Sequence, residues 1–187
     1  MKKVLRFLLK PLSFVPALVI MYCIYSFSAQ DGAASSSLSY KVSYKVIEIT
    51  DHILNLDLND AQILQGIHRI HFYVRKTAHF SEYFLLAVSI ACPLYVYGIR
   101  GIWLLLTSGL FCIGFASLDE FHQLYVSGRS GSIRDVCIDS SGAFFGIIVT
   151  QILCYIVRKC IFDPICLRNK SISVSYTHLR AHETDQY

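Results

Sequence analysis

Long apolar stretches alternate with short polar segments along the chain. Four stretches are long enough to cross a bilayer as helices, because a span needs about 20 mostly apolar residues. They cover residues 11–29, 78–97, 101–118 and 136–157. The pattern predicts an all-α fold, a four-transmembrane-helix bundle in a cell membrane. The first stretch could instead be a signal peptide after a basic N-terminus, but its apolar run is long for one and no Ala-x-Ala site follows.

The segment between the first two spans, residues 30–77, has a helical pattern of its own. Apolar residues recur at spacings of three and four, as they do along one face of a helix. The two series are Leu38, Val42, Val46, Ile49 and Ile53, then Ile63, Ile67, Ile70 and Val74. The pattern predicts two amphipathic extracytoplasmic helices. They would lie on the membrane surface, cap the bundle, or pack together as a helical hairpin.

The positions of lysine and arginine predict the orientation of the bundle, because cytoplasmic segments carry the excess of basic residues. Basic residues precede the first span, occupy the turn between the second and third spans, and follow the fourth. They are Lys2, Lys3, Arg6, Lys10, Arg100, Arg158 and Lys159. We therefore expect the N-terminus 1–10 and the tail 158–187 in the cytoplasm, on either side of a membrane domain at 11–157. Segments 30–77 and 119–135 would lie outside.

Composition and charge favour a membrane protein over a nucleic-acid-binding one. Of the 187 residues, 54% are hydrophobic and 16% are charged, whereas about 25% of residues in soluble domains are charged. The net charge of +4 comes from basic residues beside apolar stretches, so it indicates membrane orientation and no nucleic-acid partner. The seven cysteines lie mostly within apolar stretches and predict no disulfide framework.

The end of the chain fits none of these patterns. The sequence SISVSYTHLRAHETDQY, which begins at Ser171, resembles translated read-through of a sequencing-library adapter. We expect residues 173–187 to be a sequence artefact that packs against nothing. His178 and His182 are therefore not considered as site residues.

Ionisable residues gather in three segments that the expected topology brings to one face of the membrane. KTAHFSEY opens the second span at 76–83, DEFHQLYVSGRSG follows the third at 119–131, and RDVCID opens the fourth at 134–139. Charged groups at the mouth of a membrane bundle are costly unless they are paired or used, so they are functional candidates. The alternative is that they form helix caps and interfacial salt bridges.

These segments, together with SAQDGAASSSLS after the first span, resemble the VanZ-like family of bacterial membrane proteins, named for a teicoplanin-resistance protein. The resemblance extends over residues 10–157 and includes Gly142 and Gly146, a GxxxG pair that permits close helix approach. It implies four membrane helices and, for the founding member, low-level resistance to teicoplanin-type glycopeptides. It implies no settled activity. Asp139 lies where the family often has Asn.

The sequence leaves open whether the protein is an enzyme. An enzyme acting on a cell-envelope or lipid-linked substrate at the outer face would use acid, base and partner groups. The catalytic candidates are His79, Glu82, Asp119 and Glu120, because His titrates near neutral pH and carboxylates can assist it. The substrate-binding candidates, which match the family motif, are Gln30, Lys76, Gln123, Arg129, Asp135 and Asp139. The guanidinium of Arg129 offers a bidentate fork to phosphate.

Two further functions stay open beside the enzyme. The same residues would serve a non-catalytic membrane binding or assembly module, or a small-solute or proton transporter. The expected partners are membrane lipid and a lipid-linked or cell-wall component. The residue types would also suit a divalent metal, although no diagnostic spacing such as HExxH is present, and no other cofactor is indicated. The pattern does not indicate an oligomeric state.

Overall fold

The computed structural model describes residues 11–162, and 85% of these residues are helical. It contains α1 (Val15–Ser28), α2 (Gly32–Leu54), α3 (Asp60–Val96), α4 (Ile102–Gln123) and α5 (Ile133–Val157). A 3-10 turn at Pro11–Phe14 precedes α1, and a π-helical turn at Arg158–Phe162 follows α5. No strand occurs within residues 11–162, which confirms the all-α prediction. The basic N-terminus and the suspected artefact at 173–187 lie outside the described residues.

Four helical segments are long and apolar enough to cross a membrane, which confirms the predicted number of spans. They are α1 with its preceding turn, α3, α4, and α5 with the turn that follows it. The longest interface joins α3 to α5, and α4 and α1 complete the bundle around them. Its core contains the fully buried side chains of Tyr83, Leu86, Leu104 and Ile147.

Small residues allow α3 and α5 to approach each other closely. A Cβ atom added at Gly146 would lie 2.6 Å from the carbonyl oxygen of Phe84, and one added at Gly142 would meet the carbonyl oxygen of Phe80. Both contacts are with backbone atoms, which cannot rotate away as a side chain can. The two glycines therefore set the distance between the helices that carry most of the polar residues.

The helix α3 is continuous from Asp60 to Val96, so the second span predicted at 78–97 and the amphipathic helix predicted before it form one helix. With 37 residues and a rise of 1.5 Å per residue, α3 is about 55 Å long, whereas a hydrocarbon core is about 30 Å thick. It is therefore longer than one span requires. Against its first half α2 packs antiparallel, with Ile47 against Gly66 and Ile67 buried between the two helices.

The apolar stripe predicted for α2 is not the face that contacts α3. Ser43 and Ile47 are buried in this helical hairpin. The predicted stripe remains 44–69% exposed at Leu38, Val42, Val46, Ile49 and Ile53. The packing of two helices as a hairpin is therefore observed, and the placement of the exposed stripe on a membrane surface stays a prediction.

Two contacts show which ends of the helices lie together. The hydroxyl groups of Ser13 and Tyr97 are 2.5 Å apart, which places the start of α1 beside the turn between α3 and α4. At the opposite end, the N–H of Gly32 donates to the carbonyl oxygen of Ser127 at 3.0 Å. We call this opposite end, formed by residues 28–32 and 124–132, the site end. The three ionisable segments can share one face of the membrane only if the helix ends are arranged in this way.

Candidate functional site

A cavity of about 120 Å³ lies at the site end, between α1, α2, α3, α4 and the segment that follows α4. Such a volume holds a few water molecules or a small polar group, because one water occupies about 30 Å³ in the liquid. The charged and titratable side chains that line it are Arg75, His79, Glu82, Asp119 and Arg129. Uncharged polar side chains complete the wall, from Ser28 in α1, Gln30 in the connection to α2, and Ser35 and Ser39 in α2.

His79 lies between this cavity and a buried carboxylate. Its Nδ1 is 3.6 Å from Oδ1 of Asp139, whose side chain is completely inaccessible to solvent. Within the described part of the chain, neither oxygen of Asp139 has a hydrogen-bond partner, and Nδ1 of His79 has none either. Such contacts are often long in unliganded sites and shorten when substrate binds. The arrangement leaves Nε2 of His79 for the cavity.

Asp119 is held in position by an amide that also reaches α1. The Nε2 group of Gln123 donates to Oδ2 of Asp119 at 3.2 Å and to Oγ of Ser28 at 2.8 Å. Gln123 is only 2% exposed, so these bonds replace water for a buried amide. Gln123 therefore joins α4 to the end of α1 and orients Asp119 towards the cavity.

Arg129 closes the cavity from the segment between α4 and α5. Its Nε donates to the carbonyl oxygen of Gln30 at 2.9 Å, and its Nη2 donates to that of Phe27 at 2.7 Å. Carbonyl groups at a helix C-terminus lack partners within the helix, so Arg129 satisfies the end of α1. Burial, and then the positive charge of Arg75, lower the pKa of Arg129 from its usual value. The guanidinium nevertheless stays protonated at physiological pH.

Lys76, Glu120 and Asp135 lie beside the cavity. The ammonium group of Lys76 forms an ion pair with the carboxylate of Asp135, and both side chains are largely buried. Oε2 of Glu120 accepts a hydrogen bond from the N–H of Ser132 at 2.8 Å, at the residue that caps α5. These contacts join α3 and α4 to the start of α5 and fix the elements that surround the cavity.

The residues selected from the sequence divide into two groups. Those that line the cavity are Gln30, His79, Glu82, Asp119 and Arg129, and those that surround it are Lys76, Glu120, Gln123, Asp135 and Asp139. Sequence reasoning missed Arg75. Arg75 precedes His79 by four residues and Glu82 by seven, so a helix places all three on one face. That spacing is a signal in the sequence that could have identified Arg75.

The lining combines two kinds of chemistry. The guanidinium groups of Arg75 and Arg129 can bind an anion, and His79 with the carboxylates of Glu82 and Asp119 can accept or donate protons. Within residues 11–162, no three His, Cys, Asp or Glu side chains are arranged to hold a metal ion. A divalent metal stays a prediction that has not been tested.

Four apolar helices of spanning length, with a polar cavity at one end, define a multi-pass membrane protein. A family model described as VanZ/LLP1 matches residues 13–155, more than half of the chain, and the chain therefore belongs to this family. The match confirms the resemblance found in the sequence motifs. No curated protein and no solved structure matches the chain.

Proposed function

We propose that this VanZ-family protein binds and acts on a cell-envelope or lipid-linked substrate at the outer face of the bacterial membrane. One observation carries the proposal: anion-binding and proton-transfer groups line the same cavity at the site end. Ionisable groups in a membrane bundle cost several kcal/mol unless they are paired or used. Asp139 has no hydrogen-bond partner within residues 11–162, so simple structural pairing does not account for it.

The proposed orientation rests on the distribution of basic residues. Arg100 lies in the turn between α3 and α4, and Arg158 and Lys159 follow α5, at the end opposite the cavity. Cytoplasmic ends of membrane helices carry this excess of positive charge. We therefore place both chain termini in the cytoplasm and the cavity outside, where it would meet envelope components and not cytoplasmic metabolites.

The geometry supports a particular division of labour among these residues. Nε2 of His79 would act as general base, and Asp139 would orient the ring through Nδ1 and stabilise the imidazolium form. Arg75 and Arg129 would hold an anionic group of the substrate, and Glu82 or Asp119 would exchange a proton with it. Asp139 thereby becomes a positioning residue for His79, and not the substrate-binding residue expected from the sequence.

A non-catalytic binding or assembly module is the second candidate. It is favoured by the contacts of Lys76, Glu120 and Gln123, which join helices to one another. It is also favoured by Arg129, which uses two of its donors to hold the end of α1. In such a module, the two arginines would bind an anionic headgroup and His79 would contribute little.

The test is the envelope phenotype of cells whose own copy is replaced by single-residue variants. Susceptibility to teicoplanin-type glycopeptides would be measured together with the amount of protein in the membrane. We expect His79→Ala and Asp119→Asn to abolish the phenotype at normal protein levels. His68→Ala, an exposed histidine on the same helix, is the matched control and should have no effect.

Two other outcomes are informative. If Arg129→Ala weakens the phenotype most and His79→Ala has little effect, the binding module replaces the enzyme. If every substitution lowers the protein level in proportion to the loss of phenotype, the cluster is structural and the proposal is wrong.

A further inference from the structure

A second, apolar depression lies next to the polar cavity. It is a groove of about 540 Å³ between α2 and the first half of α3. Its apolar lining comes from Leu38, Val42, Val46, Ile70, Tyr73 and Val74. We infer that cavity and groove together bind one amphiphile, with its phosphate group between Arg75 and Arg129 and its hydrocarbon chain in the groove. This inference rests on the proposed function and names the substrate class.

The two depressions adjoin each other. Leu38, Ser39 and Ala78 line both of them. Ser39 and Ala78 are small, so Leu38 is the one bulky side chain among these three at the boundary between the polar and the apolar part. On α3, the face with Arg75 and His79 is about 100° from the face with Val74, because successive residues turn by 100°. A flexible molecule can therefore bend around Ala78 and occupy both.

The charges of the cavity fit a phosphorylated headgroup. Within residues 11–162, no carboxylate lies within ion-pair distance of Arg75 or Arg129. Two neighbouring guanidinium groups repel each other, and a shared phosphate removes the repulsion while accepting bidentate hydrogen bonds. Glu82 and Asp119 line the same cavity. Their carboxylates would accept hydrogen bonds from hydroxyl or amine groups of the headgroup.

The position of the groove favours a lipid over a soluble phosphate. From Ala78 to Val96, α3 has 19 residues, which correspond to about 28 Å of helix and match a hydrocarbon core of about 30 Å. Ala78 thus lies at the membrane boundary, where lipid molecules reach the site laterally. The apolar groove would be unnecessary for inorganic phosphate, and its residues remain exposed at 45% for Val42 and 68% for Tyr73.

A binding series on the purified full chain in nanodiscs tests this inference. The probes are 1-palmitoyl lysophosphatidic acid, uncharged monopalmitoylglycerol and inorganic phosphate, with binding measured by calorimetry. We expect the phosphorylated amphiphile to bind at least about 10-fold more tightly than the other two, since charged hydrogen bonds contribute that much or more. Equal binding of the uncharged amphiphile, or equal binding of inorganic phosphate, would overturn the inference.

Variants with matched controls test the polar cavity and the apolar groove separately. Arg75→Gln should weaken binding of the phosphorylated amphiphile by about 10- to 100-fold and leave the uncharged one unchanged. Arg69→Gln, an exposed arginine on the same helix, should change neither. Val42→Asn should weaken binding of both amphiphiles, whereas Ile53→Asn, which lies outside the groove, should not.

The two proposals can fail independently. If His79→Ala abolishes the phenotype but Arg75→Gln binds the phosphorylated amphiphile as the wild type does, the inference falls and the proposed function stands. If the wild type prefers the phosphorylated amphiphile but substitutions of His79 and Asp119 leave the phenotype intact, the lipid site stands and the proposed catalytic function falls.

Discussion

Replacing Gly142 with alanine should separate α5 from α3 and disrupt the site. The new Cβ would meet the carbonyl oxygen of Phe80, next to His79. Gly146, one turn further along α5, gives the size of the clash. A Cβ there would be 2.6 Å from the oxygen of Phe84, whereas ordinary contacts begin at 3.4 Å. The helices must therefore move apart by about the difference of 0.8 Å. Overpacking of this kind typically reduces the free energy of unfolding by about 1–3 kcal/mol.

The consequence should reach the site because the same two helices carry His79 and Asp139. Their 3.6 Å separation already exceeds a hydrogen bond, and a shift of this size would take it beyond ion-pair distance. Unfolding would be induced by heating or by titration with sodium dodecyl sulfate. Equal amounts of the purified proteins would be compared in the same detergent. We expect Gly142→Ala to lose both stability and the envelope phenotype.

Gly114→Ala is the matched control, because a Cβ at Gly114 in α4 would have no atom within 4 Å. In the middle of a helix, alanine should be neutral or stabilise by about 0.5–1 kcal/mol relative to glycine. If Gly142→Ala proved as stable as Gly114→Ala, the close approach of α3 and α5 would be refuted, together with the geometry of the site.

Three further predictions concern the contacts that hold the cavity. Gln123→Leu should lower the free energy of unfolding by about 1–3 kcal/mol, since it leaves the buried polar atoms of Asp119 and Ser28 unsatisfied; an unchanged melting temperature would contradict this. Arg129→Lys should expose the 124–132 segment to proteolysis, because lysine cannot bond two carbonyl groups in a fixed fork; unchanged cleavage would refute this anchoring role. Lys76→Asp should destabilise the protein, and adding Asp135→Lys should restore stability if the pair interacts directly.

The sequence predicted the spans because membrane insertion depends on apolar length, which can be read directly. It did not predict that α3 starts at Asp60. The predicted boundary at residue 78 marked the change in hydropathy, which reports where a helix enters the membrane and not where it begins. No proline interrupts the chain between Asp60 and Pro93, so nothing near residue 78 requires a break.

The candidate site was predicted in its position and only partly in its composition. Arg75 and Lys76 are adjacent, and they point about 100° apart on a helix. Which of them faces the cavity depends on the rotation of α3, and Gly142 and Gly146 set this rotation through packing against α5. The rotation is therefore determined by tertiary packing. The same holds for α2, where packing buries the face with Ser43 and not the apolar stripe.

The most direct test of the central claim is accessibility of the cavity from outside the cell. Single cysteines would be placed at Ser35, which lines the cavity, and at Arg100, at the opposite end, in a variant that lacks the native cysteines. Intact cells would be treated with a membrane-impermeant thiol reagent. We predict labelling at position 35 and protection at position 100. Labelling at position 100 with protection at position 35 would place the cavity in the cytoplasm and contradict the proposed function.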